Sequence, residues 1–147
     1  MISKNQRKNI TKLIYTLAGL YNFSILIFCE FFNKNLGKVD DLFNTNGVIN
    51  IILWGMAYIS ISQHNEKLFL INFVFFIEKL FYFHHWITWI LVNIDNLKLM
   101  FENDKMNFLF FSIYGIGDLL FGLFFVFIAY RSLFYKENLE KEKTKNN

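Results

Sequence analysis

Three ionisable residues occupy positions where charge is costly. Glu78 and Lys79 are adjacent inside one long apolar run, and Asp118 lies inside another. Charges near a bilayer centre usually turn toward the protein interior, where they pair with one another or line the path of a ligand or proton. If the two runs are spanning helices of opposite direction, Lys79 and Asp118 fall near the two midpoints and at one depth. An ion pair between them is predicted. Asn22, midway along the first apolar run, reaches the same level and can hydrogen-bond that pair. Helical spacing aligns Glu78, Tyr82, His85 and Trp89 on one stripe, and Asn72, Lys79, Tyr82 and Trp86 on the next. The predicted intramembrane polar cluster, the candidate ligand-binding site, is therefore Asn22, Glu78, Lys79, Tyr82, His85 and Asp118. A second polar layer toward the outer face comprises Glu30, Asn50, His84 and His85.

This residue set admits three kinds of chemistry. The Lys79–Asp118 pair can simply pin two helices in register, since polar contacts help helices associate in lipid. Glu78 and His85 can line a cavity for a lipid headgroup, a small amphiphile or a proton. As an alternative, an enzyme acting on a lipid-soluble substrate would use Glu78, His85 and Asp118 for proton transfer. No residue is assigned a catalytic role, and the reading leans away from an enzyme. A small multidrug-type transporter would want a central acidic residue in the first helix, and the chain offers only Glu30 near the membrane edge. His84 and His85 project about 100° apart on a helix, so they cannot jointly hold one metal or haem. His64 sits in a loop on the opposite side. With neither HExxH nor Ser/His/Asp spacing, and with Cys29 as the single cysteine, no cofactor or metal is expected. Cys29 follows bulky Phe28, which does not suit lipoprotein cleavage, and reads as a buried thiol.

The elements that must position these residues follow from segregation. Of 147 residues, 54% are hydrophobic, 20 are Phe and 18% are charged, and the charges gather at the ends and in short breaks. This is not the amphipathic pattern of a water-soluble domain. Four apolar stretches, at about 13–32, 46–62, 68–93 and 108–130, predict an all-α polytopic membrane protein. The expected fold is a four-transmembrane-helix bundle over 1–135 with a charged, frayed cytoplasmic tail over 136–147. The first stretch lacks the small-residue cleavage site of a signal peptide and reads as a retained span. The second, about 17 residues and so roughly 26 Å long, is slightly short for a hydrocarbon core of about 30 Å. Loops are expected at 33–45, 63–67 and 94–107. Gly115, Asp118 and Gly122 make a smooth face on the fourth helix, and Gly19 and Gly55 do the same for the first two.

Lys and Arg number ten across the N-terminus, second loop and the C-terminal segment after residue 130, Arg131 included, against four in the first and third loops. Both termini are accordingly expected in the cytoplasm. The small net charge of +3, without a phosphate-cradling loop or interleaved basic and aromatic residues, excludes nucleic acid as an expected partner. The expected partners are the lipid bilayer, a lipid or small amphiphile, and a second copy or another membrane protein.

Four short runs also look alike in kind to a known group. Gly19-Leu20-Tyr21-Asn22, Trp54-Gly55-Met56 with Tyr58, Glu78-Lys79-Leu80, and Gly117-Asp118-Leu119-Leu120 together resemble the small four-helix bacterial inner-membrane proteins grouped as DoxX-like. The resemblance touches all four helices through motifs of two to four residues. Glu78 stands where that group carries Gly before the lysine, and the loop prolines are missing. The resemblance implies the four-helix bundle and the inner membrane, and places Asn22, Lys79 and Asp118 at matching positions. It implies no particular activity.

Overall fold

The computed structural model describes residues 3–34, 36–63 and 68–145, with the backbone alone for residue 4 and residues 135–145. Among these the chain is all-helical and has no strand. There are four helices: α1, Lys4–Phe23, continued past Ser24 by the turn Ile25–Phe28; α2, Thr45–Ile61; α3, Phe69–Asn103; and α4, Lys105–Lys145. His64 and most of the second loop lie outside the described residues.

Each start has a local cause. Ser3 and Gln6 form a reciprocal capping box at α1, at 2.9 and 3.2 Å. Asn44 caps α2 by accepting from the Gly47 N–H at 3.0 Å, and a Cβ at Gly47 would collide with the Leu42 carbonyl. That tight entry requires glycine.

Three expected boundaries differ. The first helix ends at Phe28 rather than near 32, because Glu30, Phe31 and Phe32 take left-handed φ values of 48°, 53° and 72°. Left-handed backbone costs roughly 1–2 kcal/mol per non-glycine residue. It is held here by Phe31 N–H to Leu26 O at 2.8 Å and Lys34 N–H to Cys29 O at 2.9 Å. The expected loop at 94–107 is mostly helix. With neither Gly nor Pro in that stretch, α3 merely kinks at Asn93 (φ −114°, ψ 23°), whose amide donates to Trp89 O at 3.1 Å, and then runs on to Asn103. Asp104 alone separates α3 from α4. The backbone of the tail, expected to fray, is helical to Lys145, as its Lys and Glu content permits.

The chain divides into two units. The first, Met1–Gln63 with Ile94–Ser112, contains α1 and α2 packed antiparallel. They approach at two glycines: a Cβ on Gly19 would lie 2.6 Å from Ile59 Cγ1 and 2.7 Å from the Gly55 carbonyl oxygen. The intervening loop folds as two 3-10 turns, Leu36–Lys38 and Asp41–Phe43, which bury Leu36 and Phe43. Phe43 meets Phe110 and Phe111 edge-on, at 5.0 and 5.7 Å between ring centroids. Lys34 Nζ donates to Asp104 Oδ1 at 2.5 Å, tying this loop to the α3–α4 junction. Partial burial pushes the Asp104 carboxyl up, but the hydrogen bond and charge of Lys34, with the N–H groups of Asn107 and Met106, outweigh it. The net effect holds the group below the usual carboxylate value.

The second unit, His64–Asn93 with Ile113–Asn147, pairs α3 with α4. Contacts fall in descending order along α4 as they rise along α3. Phe75 packs on Phe125, Lys79 on Gly122 and Asp118, and Trp86 on Gly115 and Tyr114. The two helices are therefore antiparallel.

Two helices, Asn5–Phe28 and Lys105–Phe134, are long and apolar enough to cross a membrane. Thr45–Ile61 is apolar but shorter. In α3 the apolar run is diluted by Glu78, Lys79, His84 and His85.

Candidate functional site

The cluster is built on α3 and α4 within the second unit. Along α3 the buried residues are Asn72, Phe75, Glu78, Lys79 and Tyr82, a helical stripe whose middle is charged. On α4 the matching position is Asp118, flanked by Gly115 and Gly122. Gly122 lets the two backbones come close at Lys79: a Cβ there would sit 3.3 Å from Lys79 Cβ. The lysine stem lies over that glycine, and its ammonium reaches Asp118 Oδ1 at 2.7 Å. This is the pairing expected from the positions of the two charges. Glu78 is close to it as well, with Oε2 3.7 Å from the same Nζ. Glu78, a member of the expected cluster, thus shares Lys79 with Asp118. Relative exposures are 8% for Glu78, 1% for Lys79 and 4% for Asp118.

Burying one ammonium and two carboxylates is expensive unless they satisfy one another, and the short contact provides most of that compensation. Tyr82, three residues beyond Lys79 and four beyond Glu78, is buried on the same side. His85 is half-buried one turn further on, and His84 is exposed.

Asn22 has a role in the first unit. It is 2% exposed, and its Nδ2 donates to the Ile51 carbonyl of α2 at 3.0 Å. It thereby joins α1 to α2 close to the Gly19–Gly55 approach. Glu30 lies on the left-handed turn, outside α1, and is exposed.

Several features were not evident from sequence. Trp86 lies over Gly115 and meets Tyr114 at 6.5 Å and 74°. The large-over-small complementarity of Trp86 and Gly115 was the available signal. Asn72 is fully buried and donates to Leu68 O at 2.8 Å. Among the described residues, no group of three or more His, Cys, Asp and Glu side chains is placed to hold a metal ion. No protein-family model, curated protein or solved structure matches the chain.

Proposed function

We propose that the chain is a four-span integral membrane protein of the bacterial inner membrane whose buried polar cluster binds a lipid or small amphiphile, or supports a membrane complex. One observation carries this reading: polarity is inverted relative to a water-soluble protein. Lys79, Asp118, Glu78 and Asn72 are buried, while large apolar side chains stand exposed on every helix. Leu13 on α1, Leu53 on α2, Phe81 on α3 and Leu120 on α4 are 57%, 54%, 57% and 63% exposed. Water would penalise such a surface, and a monomer in water rarely presents contiguous apolar patches of that extent. Hydrocarbon would not. The DoxX-like motifs in all four helices fit the same arrangement, and the excess of Lys and Arg at the termini favours cytoplasmic ends.

The test is native mass spectrometry of the protein released from gentle detergent, with extraction and identification of any co-purifying small molecule. A stoichiometric amphiphile lost on Glu78→Gln is the expected result. A protein that emerges empty sinks the binding half of the proposal. A second reading, in which the charges only fix helix register, is favoured by the direct 2.7 Å contact of Lys79 with Asp118. That reading accommodates an empty protein and a role in scaffolding a partner.

A further inference from the structure

We infer that the outward face of α3 is an interface with a second copy of this chain, in which His84 of one copy hydrogen-bonds His84 of the other. This rests on the membrane reading above. A polar ring on an apolar face carries it. The buried stripe of α3, through Phe75 and Lys79, packs on α4, and the opposite face is exposed. Leu70, Ile77, His84 and Leu91 recur there every seventh residue, and all four are exposed. Among the described residues the His84 ring has no hydrogen-bond or ion-pair partner. Five residues past Lys79, His84 stands roughly 7.5 Å along the helix from the charged cluster. That is about halfway from the centre of a hydrocarbon core to its edge. Lipid tails offer an imidazole neither donor nor acceptor, and polar side chains at such depth turn to protein.

Symmetry selects a second copy as the occupant. Two copies inserted the same way round are related by a two-fold axis along the membrane normal, so a residue near that axis meets its own counterpart at the same depth. Only a group that both donates and accepts can satisfy itself in that position. A neutral imidazole carries one N–H and one bare nitrogen, so one ring donates to the other. Thr88 lies one turn further along the same exposed face and donates its hydroxyl proton to the His84 carbonyl at 2.9 Å. Its oxygen keeps lone pairs with which to accept from the second copy. A seven-residue spacing is also the period at which two helices hold one seam in contact, and a single polar residue in such a seam fixes its register. A different membrane protein would have to bring its own polar group to that depth, whereas a second copy brings it by symmetry.

The experiment is oxidative cross-linking of the full-length protein in native membranes, on a Cys29→Ser background, with copper phenanthroline as oxidant. Ile77→Cys and Leu91→Cys lie on the seam, one heptad either side of His84. Val92→Cys is the control, since Leu91 and Val92 are 74% and 78% exposed but project about 100° apart. The expected result is a disulfide-linked dimer from the two seam positions and far less from Val92→Cys. His84→Leu should weaken dimerisation about tenfold, read as energy transfer between labelled copies diluted in lipid. His84→Asn, which also donates and accepts, should retain it. Equal cross-linking at Leu91→Cys and Val92→Cys, or none at the seam, would overturn the interface, and undiminished dimerisation of His84→Leu would overturn the role of His84. Resistance of the same membranes to alkaline carbonate extraction separates the two readings. A retained protein that does not cross-link removes the dimer alone, and a protein that is extracted removes the membrane reading with it. These cysteines sit on the exposed face and leave the buried stripe intact, so the cross-linking comparison decides even where His84→Leu does not fold.

Discussion

Lys79 has exchanged nearly all of its hydration for two carboxylates, and that exchange defines its energetics. Removing one member of a buried ion pair leaves the other uncompensated and typically costs about 3–5 kcal/mol. Lys79→Ala strands Asp118 together with Glu78. Lys79→Ala combined with Asp118→Ala leaves one carboxylate where the single variant leaves two. The single variant should therefore unfold at a lower temperature in detergent than the double variant. Additive losses from Lys79→Ala and Asp118→Ala would rule out direct coupling, which for contacting charges should amount to about 1–3 kcal/mol. At this scale the sequence was informative wherever a charge interrupts an apolar run, because few arrangements of antiparallel helices accommodate it. Lys79 and Asp118 were legible for that reason. The sharing of Lys79 by Glu78 was not legible, since neighbours on a helix diverge by about 100° but the long lysine side chain lets Nζ stay near both carboxylates. The bond from Asn22 to the Ile51 carbonyl was not legible, because a backbone acceptor leaves no trace in residue types. Lys34 and Asp104 are 70 residues apart, and each sits in a stretch that reads as ordinary solvated loop.

Within the elements, glycine decides how closely helices approach, and the close approaches differ in what a methyl group would meet. At Gly19 the obstruction includes backbone, the Gly55 carbonyl oxygen at 2.7 Å. At Gly115 it is the root of the Trp86 side chain, which has little freedom to swing away. At Gly122 the nearest atom is Lys79 Cβ at 3.3 Å. Gly19→Ala and Gly115→Ala should each cost about 1–3 kcal/mol, the range for overpacking a filled site. Gly122→Ala should cost less than either. Unfolding midpoints of the three variants in one detergent check the ranking, and a larger loss at Gly122 than at Gly19 would contradict this packing. The small faces were visible in the spacing of Gly115, Asp118 and Gly122. The helix ends were not. Asn93 and Asp104 modulate a continuous helical path without any Gly or Pro to announce a break, whereas the break after Phe28 falls among residues whose types favour continuing the apolar run.

For the whole molecule, the proposed four-span reading turns on which surfaces face lipid and which ends face the cytoplasm. Each helix exposes large apolar side chains, and within each unit the paired helices run antiparallel. Placing Glu78, Lys79 or Asp118 unpaired in hydrocarbon would cost about 2.5–3.5 kcal/mol each on insertion scales. Their burial together removes the main objection to α3 as a span. On the proposed four-span reading, the Lys and Arg bias is the basis for expecting both ends in the cytoplasm. The chain has a single cysteine, Cys29, which is buried, so a Cys29→Ser background gives a clean reporter. On that background Lys38→Cys, on the exposed 3-10 turn after α1, should react with a membrane-impermeant maleimide in intact cells. Asn138→Cys, in the C-terminal segment, should react only once the membrane is opened. The reverse pattern would invert the orientation while keeping four spans. Labelling of both sites in intact cells would put an even number of crossings between them where four spans require three, and the four-span reading would fail even though α1 and α4 each remain long enough to cross.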